Sequence, residues 1–330
     1  MNVGIAGISG YGGAELLRLC AGHPAFRLAA AFGDSTAGQS LKERFPALAG
    51  LPAGDIVIQA FAPEKAAGLD LLFASLPTGK SREPLAKVDP KVRVVDVGGD
   101  HRFVDGWVYG LTELPGQRER IRGCSRLANP GCYPAASLLA LAPLAKAGLI
   151  EMDGIVIDAK SGVTGTGRGG ASDFGYAETN EDMFAYGLEK HPHVPEMQAA
   201  LTQVSGRPAS IAFTPHLVPM TRGILSTCYA RPRGSVTSAR LLEAAQAMYA
   251  DEPFIKVTAL SKGRSAHTGW ATATNLAFLS YAVNNETGLV VAIGAIDNLG
   301  KGAAAQAVQN ANLMCGQAET AGLTALPIWP

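Results

Sequence analysis

The chain has 330 residues, with 28 Lys+Arg against 28 Asp+Glu and a formal net charge of zero. No basic block is present, which excludes nucleic acid or an anionic membrane as the main partner, since both are held by a positive field. No apolar run approaches the roughly 18 residues that would span a bilayer, and the 39 glycines, without a collagen-like period, mark tight turns and close backbone approaches.

In chain order, Asn2–Ala6 reads as a short apolar strand, residues 7–13 as a glycine turn, and residues 14–21 as a helix that His23-Pro24 ends. Arg27–Phe32, residues 70–76 and residues 92–97 are further strands separated by helical stretches, the alternation of a parallel sheet covered on both faces. The spacing predicts a doubly wound α/β domain over residues 1–130. From residue 131 a second, α+β domain runs to residue 298. Its strand-like stretches are 154–159, 210–213, Ile224–Ala230, 255–260 and 288–296, with helices over 197–204 and 238–250 and a polar, glycine-rich insert over 161–187. The expectation is a mixed, largely antiparallel sheet. A last helix, residues 302–313 within the segment 299–330, is expected to return to the first domain.

Five cysteines (Cys20, Cys124, Cys132, Cys228, Cys315) form an odd set without a C-x-x-C pair, and the N-terminus lacks the layout of a secretory signal. A reducing cytoplasm fits, and a cysteine zinc site does not; no metal is expected. The run Gly7-Ile-Ser9-Gly10-Tyr11-Gly12-Gly13 sits between a strand and a helix. There a dinucleotide pyrophosphate meets backbone N–H groups and the positive end of a helix dipole, as in a Rossmann domain. The end of the second strand, Gly33-Asp34-Ser35-Thr36, holds both an acid, which favours NAD, and hydroxyls, which favour NADP.

Asn129-Pro130-Gly131-Cys132-Tyr133-Pro134 precedes an apolar helical run over residues 135–147. Cys132 therefore stands at or just before a helix N-terminus, where unpaired N–H groups favour a thiolate and hold an oxyanion, and it is the best nucleophile in the chain. A nucleophilic thiol needs a proton shuttle. His191, His193 and His216 compete for that role, and Glu196, three residues after His193 at a helix start, is placed to orient its imidazole.

Eight segments in order now resemble one family, the N-acetyl-gamma-glutamyl-phosphate reductases of arginine biosynthesis, within the aspartate-semialdehyde dehydrogenase group. They are Gly7–Glu15, Asp100-His-Arg102, Tyr109-Gly-Leu-Thr-Glu113, Asn129–Pro134, Ser161-Gly-Val-Thr-Gly165-Thr-Gly167-Arg168, His191-Pro-His193-Val-Pro-Glu196, Phe213-Thr-Pro-His216 through Arg222, and Asp297-Asn298-Leu-Gly-Lys301-Gly302. The resemblance implies NADPH-dependent reduction of an acyl phosphate through a thioester on Cys132, with His193 and Glu196 handling protons. It implies NADP(H) contacts from Gly7, Ser9, Gly10, Tyr11, Gly12, Gly13, Ser35, Ser161, Gly162, Gly165 and Asn298. Substrate contacts fall to Arg102, Asn129, His191, His216 and Arg222, the two arginines as anion anchors. The expected partner is a small acyl phosphate, in a homodimer or homotetramer. Alternatives are a carrier-protein-linked acyl phosphate, as in lysine biosynthesis or secondary metabolism, a non-catalytic NADP(H)-binding redox sensor, and a cysteine hydrolase. The chain departs from the family pattern at His101, where a Phe is usual, and at Pro192, where an Arg is usual.

Overall fold

The computed structural model describes residues 1–168 and 176–328, so residues 169–175 of the polar insert, including Gly169 and Gly170, lie outside the described residues. Two compact units are present. Unit 1 comprises Met1–Thr112, Gly116–Pro130 and Ala303–Thr324, and unit 2 comprises Glu113–Pro115, Gly131–Gly302 and the stretch from Ala325.

In unit 1, β1 (Asn2–Ala6), β2 (Arg27–Phe32), β3 (Leu71–Ala74), β4 (Arg93–Asp96), β5 (Val108–Tyr109) and β6 (Arg126–Ala128) form one parallel sheet. Its order is β2-β1-β3-β4-β6-β5. The strand order reverses between β1 and β3, the switch point at which such sheets bind ligands. Val3, Ile5, Val94, Val95 and all of β3 are buried, as strands covered on both faces require. The helices are α1 (Tyr11–Ala21), α2 (Leu41–Arg44), α3 (Arg82–Ala86) and α4 (Gln117–Arg122).

The helical stretch expected between β2 and β3 is largely a chain of 3₁₀ turns opening at Pro46, Pro52 and Pro63. Each proline fits the first turn of such a segment but cannot sit inside a continuing helix. Only the capping box of Ser40 and Glu43 starts a helix there, α2.

Unit 2 carries a seven-stranded sheet. Its strands are β7 (Ile155–Gly162), β8 (Phe184–Ala185), β9 (Ile211–Val218), β10 (Ile224–Ala230), β11 (Ile255–Val257), β12 (Ala277–Val283) and β13 (Val290–Ile296). They lie in the order β11-β12-β13-β10-β7-β9-β8. The pairs β7/β9 and β11/β12 are parallel and the rest antiparallel, so the sheet is mixed and largely antiparallel. The sequence pattern missed β8 and β12.

The helices of unit 2 are α5 (Cys132–Lys146), α6 (Tyr176–Thr179), α7 (His193–Ser205) and α8 (Ser238–Met248). Helix α5 is buried from Tyr133 through Ala145 and packs on β10, β12 and β13, with α7 and α8 beside it. Helices buried all round are apolar all round, which is why α5 shows no polar stripe. Both α5 and α7 begin earlier than the sequence pattern predicts, at Cys132 and His193 rather than at 135 and 197. In each, the third residue is a proline (Pro134, Pro195), which the first turn tolerates because its missing N–H has no intrahelical partner. After β13 a π-helical turn, Gly300–Ala304, leads into α9 (Ala305–Met314), so the last helix starts three residues later than expected.

Pro143 lies inside α5 and cannot donate to the Leu139 carbonyl one turn back. The buried Tyr249 hydroxyl donates to that oxygen instead, at 2.8 Å. Tyr249→Phe leaves a buried acceptor unmet and should cost about 1–3 kcal/mol in urea unfolding; an unchanged midpoint would show that the bond contributes nothing.

Candidate active site

In unit 1 the glycine turn is shaped by backbone contact. Gly7 has φ +81°, and a Cβ there would lie 2.0 Å from the Ser75 carbonyl oxygen; one on Gly13, in the first turn of α1, would lie 2.1 Å from the Gly7 oxygen. The turn closes this tightly only without side chains. Gly10 caps α1 without a side-chain bond, so the first N–H groups of the helix face an uncluttered cradle, and Tyr11 stands exposed beside it. The Ser9 and Thr36 hydroxyls lie 2.5 Å apart, and Ser35 is exposed. Asp34 Oδ1 accepts from the Phe61 N–H at 3.4 Å, a loop-bracing contact. In the same unit Arg102, half-buried, donates from Nε to the Asn129 carbonyl at 3.0 Å.

In unit 2 Cys132 is the first residue of α5, with Gly131 as its cap, and is partly exposed. Glu196, on the first turn of α7, is buried, and its Oε1 accepts from the Gly131 N–H at 2.8 Å. This bond joins the start of α7 to the residue before the thiol. Tyr133, next after Cys132, is ringed by aromatic edges. His191 and His193 lie at 6.0 Å between centroids, Phe213 at 5.2 Å, and His191 and His193 are themselves 4.8 Å apart. The Tyr186 hydroxyl donates to that of Tyr133, which donates to the His216 carbonyl, both at 3.1 Å. His191 Nδ1 accepts the His193 N–H at 3.2 Å, and burial lowers the His191 pKa from 6.5 to about 4. Its imidazole is neutral at physiological pH, as an accepting nitrogen must be.

Beside this centre, Asn298 accepts from the Gly223 N–H at 2.7 Å and donates to Thr164 Oγ1 at 2.9 Å, while Thr164 Oγ1 donates to the Thr221 carbonyl at 2.7 Å. Gly165 lies against the same group, since a Cβ there would meet Ser161 Oγ at 2.8 Å; one on Gly162 would meet the Met220 oxygen at 2.8 Å. Ser161, Gly162, Gly165 and Asn298 thus share one corner of unit 2. Arg222 Nε donates at 2.8 Å to buried Asp297, whose carboxylate also accepts from the N–H groups of Ala273, Leu299 and Gly300. Among the described residues no three His, Cys, Asp or Glu side chains are grouped as metal ligands.

Two further residues expected to contact substrate have protein partners of their own. Asn129 is wholly buried, and its amide bonds the Ala303 carbonyl and Asn310 at 3.0 Å each. His216 alternates with buried Pro215 and Leu217 along β9, which turns its ring to the sheet face opposite α5. There its Nδ1 lies 3.2 Å from Asp158, which also receives Lys160 Nζ at 2.7 Å.

Two family profiles cover nearly the whole chain: "Semialdehyde dehydrogenase, NAD binding domain" over residues 2–123 and "Semialdehyde dehydrogenase, dimerisation domain" over residues 132–298. Proteins named N-acetyl-gamma-glutamyl-phosphate reductase match over the full chain. One from Bradyrhizobium sp. (strain ORS 278) is 55% identical, covering 100% of this chain and 99% of its own, and one from Methylobacterium sp. (strain 4-46) is 56% identical with the same coverage. The chain belongs to the N-acetyl-gamma-glutamyl-phosphate reductase family. Solved structures share the fold of this reductase-family chain at low identity. Aspartate semialdehyde dehydrogenase II from Vibrio cholerae has TM-score 0.73 and 15% identity over 96% of this chain and 98% of that one. The Candida albicans aspartate semialdehyde dehydrogenase, solved with NADP, has TM-score 0.71 and 15% identity over 95% and 98%.

The residue pattern by itself gives no role to Asp297 or Lys301 in this reductase-family chain, although both stand in the Asp297–Gly302 motif. A lone Lys between glycines before an alanine-rich helix was the available signal. Two outcomes follow from the burial pattern. Desolvation holds Cys20 and Cys228 up to about 12 and Cys124 and Cys315 up to about 11. At neutral pH iodoacetamide should therefore modify Cys132 first, read by peptide mass spectrometry; prior modification of another cysteine would contradict this order. The His191 ring should titrate near 4 by NMR. Because its folded pKa is below the ordinary 6.5, the stability linked to it is present above 6.5 and lost as pH falls toward 4.

Proposed function

We propose that this chain reduces N-acetyl-gamma-glutamyl phosphate to the semialdehyde and phosphate, using NADPH. The observation that carries the reading is the helix-start thiol Cys132 with Glu196 bonded to its cap residue at 2.8 Å and the imidazoles of His191 and His193 ringed about Tyr133. Its full-length relatives carry that activity in their names.

Cys132 Sγ attacks the acyl carbon, the bond from that carbon to the phosphate oxygen breaks, and phosphate leaves behind an acyl thioester. Splitting the reduction into two easier steps is what a covalent nucleophile contributes. The first N–H groups of α5 and its dipole oppose the negative charge that develops on the carbonyl oxygen. When bound, NADPH supplies the hydride that reduces the thioester carbon. His193 gives a proton to the new oxygen and takes it back as the carbon–sulfur bond breaks, releasing aldehyde and Cys132. Glu196 keeps Gly131, and so Cys132, at its station. Arg222, held by Asp297, and Arg102 are forked cations suited to the anionic groups of the substrate.

The glycine cradle of unit 1 fits the dinucleotide: side-chain-free Gly7, Gly10, Gly12 and Gly13, with Ser9, Tyr11 and Ser35 at its rim, leave room where a Cβ at Gly7 or Gly13 would collide with backbone. Ser161, Gly162, Gly165 and Asn298 form the corner of unit 2 assigned to the reacting end of the cofactor. The hydroxyls at 35 and 36, with Asp34 engaged by Phe61, favour NADP(H) over NAD.

Helices α5, α7 and α8 lie on one face of the unit 2 sheet, and Leu225, Thr227, Tyr229, Val291 and Ile293 lie half-exposed on the other. A second copy of the chain covering this face gives the homodimer or homotetramer we infer. Five free cysteines suit the cytoplasm, and no helix among the described residues is long and apolar enough to cross a membrane.

Phosphate-dependent reduction of NADP⁺ with N-acetylglutamate semialdehyde, the reverse assay, should be abolished in Cys132→Ser. Full activity in that variant sinks the mechanism. His193→Asn should lower kcat by about 10²–10⁴-fold, whereas the same change at His216 should leave the proton-transfer limb of the pH profile in place.

A further inference from the structure

Lys301 is wholly buried, and its Nζ meets the buried Glu113 carboxylate at 2.5 Å while lying 5.5 Å over the Phe254 ring. Replacing such a pair by packed apolar side chains is often neutral or stabilising, because the cost of desolvating both charges offsets most of their attraction. Such a pair contributes little net stability; it does supply a directional contact that sets where its segment sits. The segment is the π-helical turn Gly300–Ala304, a geometry frequent at functional sites. Asp297 Oδ1 accepts from the N–H groups of Leu299 and Gly300, and the Gly302 N–H donates to the Asp297 carbonyl at 2.9 Å, so the turn is closed on itself. Its outward contact is with the reacting residue. A Cβ built on Gly302 would lie 2.9 Å from Cys132 Cβ and 3.3 Å from its Cα. The backbone of this turn therefore forms one wall of the thiol's position, and Lys301, the preceding residue, is what anchors that wall.

We propose that Lys301, tied to Glu113, is a positioning residue for the reaction: it fixes the Gly300–Ala304 turn so that Gly302 abuts Cys132 and holds its sulfur in the attacking orientation. In this role Lys301 acts through Gly302, the residue whose backbone lies against Cys132. The proposal rests on the reading of Cys132 as the nucleophile. A displacement of the order of 1 Å at a reacting atom costs about 10²-fold in rate, so a small shift of this wall reads out in turnover.

The test compares the wild type with Lys301→Met/Glu113→Leu, in which both buried charges are replaced together by apolar side chains, and with Gly302→Ala, in which the pair is intact and the wall is pushed toward the thiol. Three quantities are read: kcat and KM for the acyl phosphate, the rate of iodoacetamide labelling of Cys132 over about pH 6 to 9, and the melting temperature. The double variant should melt near the wild type, lose about 10- to 100-fold in kcat with KM little changed, and label Cys132 more slowly at every pH. Gly302→Ala should reproduce both kinetic effects. Turnover and labelling within about two-fold of wild type in either folded variant overturn the positioning role, and if the double variant does not fold, Gly302→Ala alone decides. Wild-type enzyme fully labelled at Cys132 yet still active would instead overturn the nucleophile reading, an outcome separate from the first.

Discussion

The Gly131 N–H donates to Glu196 Oε1 at 2.8 Å, and through that bond two helices 65 residues apart in the chain hold their first turns together. A buried carboxylate without such a donor would be costly, so the bond is as much a condition on Glu196 as a service to Gly131. Cys132 opens α5 and His193 opens α7, and the His193 ring lies against Tyr133, the residue after the thiol. The prolines at the third position of both helices fit their first turns, where a missing N–H has no intrahelical partner.

Charge is handled locally throughout. The chain has no net charge, and the groups suited to anions are individually braced: Arg222 by Asp297, Arg102 by the Asn129 carbonyl, and the helix starts by uncapped N–H groups. An arginine whose Nε is already bonded loses less entropy in gripping a ligand than a free one. Asp297 illustrates the economy of such a site, for one buried carboxylate orients Arg222, closes the turn that follows it and precedes Asn298.

Much of the fold was legible in the residues. The β1–turn–α1 start, the parallel sheet of unit 1 and the exact span of β10 follow from apolar runs and glycine placement, and Cys132 reads from sequence as standing at or just before a helix start, where α5 begins. Besides β12, a seven-residue strand, what escaped was of two kinds. Short strands such as β5 and β8, with two residues each, have no periodicity to detect. Prolines at 134 and 195 read as helix breakers when they are first-turn residues, and those at 46, 52 and 63 divided what looked like a helical stretch into 3₁₀ turns.

The sequence by itself determined the chemistry available: a thiol at a helix start, histidines with a nearby carboxylate, a glycine cradle and the family to which these belong. Those are local facts, set by residue type and spacing of a few positions. Only the tertiary structure decided which groups act together. It turned His216 to the far sheet face, closed Asn129 inside the protein, gave Glu196 to Gly131, and set Lys301 on Glu113 with Gly302 against the thiol. Each of these depends on strand alternation or on contacts between residues far apart in the chain, and a pairing of that kind leaves no trace in the spacing of either partner.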